Sequence, residues 1–142
     1  MLIQWLLMGG ILALGPLGSG SDFGPVASVA AIPLILAGAA VGIAATVTMG
    51  RTRTIYPEPP DHSRLIRHGI FAFVRHPLYT SLILLSFGWS LGWNSMAGVV
   101  AAVVMLLFLM AKSSNEERRL KRRFADYEAY MKTTKRLIPW VY

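Results

Sequence analysis

Two short stretches hold the residue types that do chemistry. The first is "RHPLY", Arg75 to Tyr79, where a guanidinium, an imidazole and a phenol surround a proline. The second is "KSSNEERRL", Lys112 to Leu120, where Glu116 and Glu117 stand side by side one turn beyond the ammonium of Lys112. Adjacent acids near a lipid surface repel each other and attract cations, so this pair suits a cationic ligand. Each stretch also has a plain structural reading. Pro77 belongs in the first turn of a helix, where its missing N–H would be unpaired anyway. Arg75 is then a positive anchor at a membrane edge and Tyr79 an interfacial tyrosine. Ser113-x-x-Glu116 and Ser114-x-x-Glu117 fit capping boxes, and Glu117 with Lys121 fits an i,i+4 ion pair. A helix running on without a break would make those caps unnecessary and carry the glutamates beyond the membrane. A third stretch, "TTKRLIPWVY", joins a basic pair to an apolar run and Pro139. It either folds back onto the membrane face or anchors there through Trp140 and Tyr142.

Other chemistries find little support. The chain has no cysteine, which excludes disulfides, thiolate nucleophiles and cysteine metal sites. The spacing of His62, His68 and His76 fits no helical or finger pattern, so no metal is expected. Gly18-Ser19-Gly20 is a lone Gly-x-Gly without the strand and helix of a dinucleotide site.

The elements that must position these residues lie in apolar blocks. Of the 142 residues, 54% are hydrophobic and only 15% charged, and the mean hydropathy is +0.51. A soluble domain of this size would struggle to hide so much apolar surface. The expected fold is all-α: a single domain, 1–142, forming an integral membrane bundle of about four spans. The spans are placed near 2–17, 27–49, 77–92 and 96–111. The N-terminal block lacks the basic region of a signal peptide and is read as a retained span. Block 27–49 is roughly 34 Å long as a helix, and the later two about 23 Å each. Their shortness suggests a lipid-facing gap between the third and fourth spans that admits an apolar acceptor. Gly38-x-x-x-Gly42 matches a small-residue packing pattern, read as close packing within this chain. "GWNS" at Gly92–Ser95 makes a tight helical hairpin, with Trp89 and Trp93 at the interface.

Beyond Lys112 the chain is polar. Leu120, Phe124, Tyr127 and Met131 recur at helical spacing, which predicts a C-terminal amphipathic helix on the membrane surface or against the preceding polar loop. All 14 Lys and Arg lie between Arg51 and Arg136, and the formal charge is +7. These positives flank apolar blocks, as juxtamembrane residues do, so the partner is the lipid bilayer and no nucleic acid is expected. The same asymmetry puts segments 51–76 and 112–142, with both termini, on the cytoplasmic side. The two polar segments can then meet.

Together these stretches resemble a known family. "RHGIFAFVRHPLYTS" is similar to the Gly-apolar-aromatic-x-apolar-apolar-Arg-His-Pro-x-Tyr segment of isoprenylcysteine carboxyl methyltransferases and related bacterial membrane methyltransferases. "NEERRLKRRFADYEAYMKTTKRLIP" resembles their C-terminal signature, a Glu-Glu pair followed by Phe, two tyrosines and Arg-apolar-apolar-Pro. Phospholipid N-methyltransferases share a Pro-x-Tyr and a Glu-Glu pair at similar places. The resemblance implies a bacterial inner-membrane enzyme that uses S-adenosylmethionine, releases S-adenosylhomocysteine and methylates a lipophilic or small acceptor. It maps the donor-binding stretch onto Ser63, Arg64, Leu65, Ile66, Phe71, His76, Pro77, Leu78 and Tyr79, with phenylalanine at 71 where many members have tyrosine. It places Lys112 and Glu116 near the acceptor, with lysine standing for the family's arginine.

The chemistry of that donor suits these residue types. Arg75, His76 and the N–H groups of a helix N-terminus can hold its carboxylate. Glu116 or Glu117 can hold its ammonium, and Phe71 or Tyr79 can cover the adenine or face the sulfonium. Glu116 is the candidate base for an acceptor that starts protonated. Two alternatives stand beside this reading. Membrane sterol reductases resemble the C-terminal half and bind NADPH, for which the basic run 118–123 could serve. The other alternative is a non-catalytic membrane subunit.

Overall fold

The computed structural model describes residues 2–20, 23–50 and 65–137. Within them the chain is all-helical: α1 (Leu2–Leu17), α2 (Gly24–Met49), a 3₁₀ turn (Gly69–Ala72), α3 (Pro77–Gly92), α4 (Met96–Arg123) and α5 (Tyr127–Thr133). Helices α1 and α3 have the bounds expected of the first and third spans. Helix α2 begins three residues earlier than block 27–49, with Pro25 in its first turn, where proline costs no hydrogen bond. Among the described residues, α2 and α4 are the helices long and apolar enough to cross a bilayer alone. Helices α1 and α3 have 16 residues each, roughly 24 Å of rise.

Helix α3 is the hub and touches α1, α2 and α4. Its buried face is made of small and hydroxyl side chains, Thr80, Ser81, Ser86, Gly88 and Ser90. Small residues let helix backbones approach closely without a large apolar side chain between them. A Cβ on Gly38 would lie 2.9 Å from the Leu85 side chain, and one on Gly88 would lie 2.7 Å from Ile35. Ser81 Oγ donates to Gly38 O at 2.7 Å, which seals the same seam. The Gly38-x-x-x-Gly42 pattern therefore serves packing of α2 on α3 within one chain. The outside of the bundle is the reverse. Leu2, Trp5, Leu6, Val29, Leu36, Ile43, Val47, Val100 and Leu107 are all exposed. An apolar outside around a seam of Ser, Thr and Gly is the arrangement a bilayer favours, and a small apolar cluster of Ile11, Met105 and Leu109 fills the rest of the interior.

The hairpin between α3 and α4 ties the far end together. Asn94 adopts a positive φ of 49°, and its Nδ2 donates to Ser28 Oγ at 2.9 Å. Ser95 caps α4 by accepting from Gly98 N at 3.0 Å and donates its own hydroxyl to Leu14 O at 2.6 Å. Of the two tryptophans assigned to the interface, Trp93 is exposed, whereas the Trp89 indole packs against Gly15 of α1.

Two expectations change at the opposite end. Helix α4 does not stop near Ala111 but runs for 28 residues from Met96 to Arg123, because nothing between Lys112 and Arg123 breaks it. The capping boxes are therefore unused, and the lipid-facing gap argued from a short fourth span loses its basis. The single amphipathic C-terminal helix is also divided. Phe124 turns extended with ψ 112°, and the chain re-enters helix at Tyr127. The break turns Tyr127 and Tyr130 into the protein, where both are buried.

Candidate functional site

The site forms where the strand-like segment before α3 meets residues 134–137. Residues 73–76 and 134–137 run parallel, joined through the Val74–Lys135 bridge. Arg75 N donates to Lys135 O at 2.8 Å, His76 N to Arg136 O at 3.1 Å, and Lys135 N to Phe73 O at 3.1 Å. Pro77 then opens α3 from a fully buried position. The Tyr79 and Thr80 N–H groups turn back to His76 O at 3.0 and 3.1 Å. The helix N-terminus expected to offer N–H groups to an anion is thus largely closed on its own chain. That follows from the N-cap rule, under which the first N–H groups seek whichever acceptor is nearest.

Beneath this strap lies a buried ionic cluster. Arg75 Nε donates to Glu117 Oε1 at 2.7 Å, and Arg136 binds Glu117 Oε2 through Nε at 3.0 Å and Nη2 at 2.8 Å. The Glu117 and Arg75 side chains are only 3% and 7% exposed. Arg75 Nη1 also reaches Met131 O at 3.2 Å, Thr134 Oγ1 at 3.3 Å and Thr134 O. Arg136 Nη1 donates to Ser114 Oγ at 2.9 Å. Arg75 and Glu117, both assigned to ligand by sequence, are thus held by each other and by the protein.

Burial, the largest single influence on Glu117, raises its pKa, but His76, Arg75 and Arg136 together outweigh it and bring it from 4.5 down to about 2. A carboxylate with a lowered folded pKa stabilises the fold above its unfolded value and loses that contribution as pH falls through the folded one. The melting temperature in detergent is therefore expected to hold steady from neutral pH to about 5 and then fall progressively toward pH 2. A Glu117→Gln variant should show a flatter acid limb, and an equally steep one would contradict the assignment.

The neighbouring cluster is more open. Tyr79 Oη donates in bifurcated fashion to Glu116 Oε1 at 2.7 Å and Oε2 at 2.8 Å, and the Glu116 side chain is 38% exposed. His76 stacks on Tyr79 with ring centres 5.3 Å apart and planes 2° from parallel. His76 Nδ1 is 3.7 Å from Glu116 Oε2. His76 Nε2 is 3.4 Å from Glu117 Oε1 but out of line, so this buried nitrogen lacks a well-aligned hydrogen bond. Lys112 Nζ donates to Gln4 Oε1 at 2.6 Å and lies 5.0 Å from the centre of the Tyr79 ring.

The remaining expected residues are scattered around this core. Ser63 and Arg64 lie outside the described residues. Leu65, Ile66 and Leu78 are half-buried. Phe71 contributes its carbonyl, which accepts from Tyr130 Oη, so the hydroxyl that tyrosine would have carried is not needed for that bond. Arg136, Thr134, Tyr130 and Gln4 were not assigned to the site from sequence. Arg136 stands within the C-terminal signature. Gln4 is the lone amide in an otherwise apolar α1, and a polar residue inside such a helix is itself a signal.

A half-exposed carboxylate with unfilled lone pairs can take a cation. The residues present therefore fit a ligand with a positively charged group. Comparison with known proteins adds one match. A family model described as phospholipid methyltransferase covers residues 26–127. No curated protein and no solved structure matches the chain.

Proposed function

The chain belongs to the phospholipid methyltransferase family, and from that premise we propose that it is a single-domain, S-adenosylmethionine-dependent methyltransferase acting at the cytoplasmic membrane face on a lipophilic or small acceptor. When bound, S-adenosylmethionine supplies a sulfonium-borne methyl group open to in-line attack by a nucleophile. The observation that carries the reading is the open cluster: Glu116 held by Tyr79, with His76 Nδ1 3.7 Å from its Oε2. Glu116 provides the negative charge for the donor's ammonium, with the His76 imidazole alongside it. The stacked His76 and Tyr79 rings form an aromatic wall. Where the acceptor starts protonated, Glu116 takes the proton at a carboxylate oxygen. Lys112 supplies a positive charge toward the acceptor.

Arg75, Glu117 and Arg136 act as positioning residues in this reading. They fasten residues 134–137 to the start of α3, and so fix His76 and Tyr79. In this reading α1, α2, α3 and α4 form four spans in a bacterial inner membrane, with both termini and residues 65–76 and 112–137 on the cytoplasmic side; the length and apolarity of α2 and α4 support a membrane protein. Membranes containing the protein, given donor labelled in its methyl group, should incorporate label into the lipid extract or an added small amine, thiol or carboxylate. A Tyr79→Phe variant should transfer at least about tenfold more slowly, since Glu116 loses its anchor. Label transfer equal in membranes without the protein would overturn the proposal.

A further inference from the structure

Lys112 and Glu116 are one turn apart on α4, the spacing at which lysine and glutamate ordinarily pair. Among the described residues they do not. Lys112 Nζ is drawn to Gln4 Oε1 at 2.6 Å, across 108 positions of sequence, and rests over the Tyr79 ring. Glu116 is bonded instead by the neutral Tyr79 hydroxyl. Gln4 is the only amide or charged side chain in α1, whose other residues are leucine, isoleucine, methionine, glycine, alanine, one tryptophan and one proline. An amide in such a helix is costly to keep unless its polar atoms are engaged. It lies outside the span matched by the family model.

We propose that Gln4 is a positioning residue that holds Lys112 away from Glu116 and so keeps the Glu116 carboxylate available to the cationic group of a ligand. This rests on the reading of Glu116 given above. An amide oxygen satisfies the ammonium without adding charge, and the aromatic face below takes part of the same charge. Without the amide, the nearest acceptor for Lys112 is the glutamate one turn away. That pair would neutralise the acid the ligand needs. A glutamate at position 4 keeps an acceptor for Lys112 and preserves the arrangement.

The first test reads the carboxylate directly. In detergent-solubilised full-length protein, Glu116 is coupled to a small amine with a water-soluble carbodiimide, and the rate is followed by peptide mass spectrometry. Gln4→Leu should slow labelling of Glu116 about fivefold, Gln4→Glu should leave it near the wild-type rate, and Lys112→Met added to Gln4→Leu should restore it. A purely structural role for Gln4 would not be rescued by removing Lys112. The second test is calorimetric affinity for S-adenosylhomocysteine, which should fall and recover in the same order. Unchanged labelling in Gln4→Leu, or labelling not restored in the double variant, overturns the role of Gln4. Labelling that behaves as expected while the wild type fails to bind S-adenosylhomocysteine supports the role of Gln4 and overturns the ligand reading instead.

Discussion

Replacing Glu117 with alanine is expected to destabilise the protein by about 3–5 kcal/mol, read as a large fall in melting temperature in detergent. Glu117 is almost fully buried, and each of its oxygens is held by a different guanidinium. Removing it leaves the Arg75 side chain, 7% exposed, without its countercharge in a region of low dielectric. The bonds from Arg75 to Met131 and Thr134 remain, but carbonyl oxygens carry no net charge to offset it. The strap of residues 134–137 loses its second tie as well, because Arg136 loses both of its bonds to Glu117. A surface pair gives the contrast. Lys121 and Glu128 lie 3.6 Å apart with side chains 43% and 72% exposed, so Glu128→Ala should change stability by no more than about 1 kcal/mol. Equal effects at 117 and 128 would show that the buried cluster does not carry the fold.

Glu116→Gln is expected to do the opposite: leave the melting temperature close to wild type and weaken S-adenosylhomocysteine binding by about 10- to 100-fold. The amide oxygen can still accept from Tyr79 Oη, so the local bond survives. What is lost is the negative charge on a group 38% exposed, the one carboxylate of the adjacent pair with room for a ligand. Hydrogen bonds to charged partners contribute about 1.5–3 kcal/mol, which sets the range of fold-change. Calorimetry on the purified variant measures it. Wild-type affinity in Glu116→Gln would return Glu116 to a structural role and remove the base from the proposed reaction.

These two results would separate residues that the sequence presents as equals. Glu116 and Glu117 are adjacent, and both fit a cap or a cation site by spacing alone. A rotation of about 100° per residue puts one on the buried face of α4 and the other on its open side, and only the packing of α3 and residues 134–137 decides which is which. The apolar blocks were legible because hydropathy and proline placement act locally. Pro77 starts α3 where a missing N–H is harmless, and Ser95 with Asn94 makes the hairpin. The extent of α4 was harder to read, since Lys112–Arg123 is polar yet contains no helix breaker. The partners of Arg75 were illegible for a different reason. Arg136, Thr134 and Glu117 lie tens of residues away, and no spacing rule links them. Gln4 gave a weaker hint, a lone amide in an apolar helix, but its partner Lys112 comes from the other end of the chain.

Under the proposed function, the open cluster around Glu116, Tyr79 and His76 receives a methyl donor. Titration of the purified full-length protein in detergent with S-adenosylhomocysteine and, separately, with NADPH tests it most directly. Saturable heat with S-adenosylhomocysteine and none with NADPH is the predicted result. Binding of NADPH alone would contradict it in favour of a membrane reductase, and binding of neither would contradict it in favour of a non-catalytic membrane subunit.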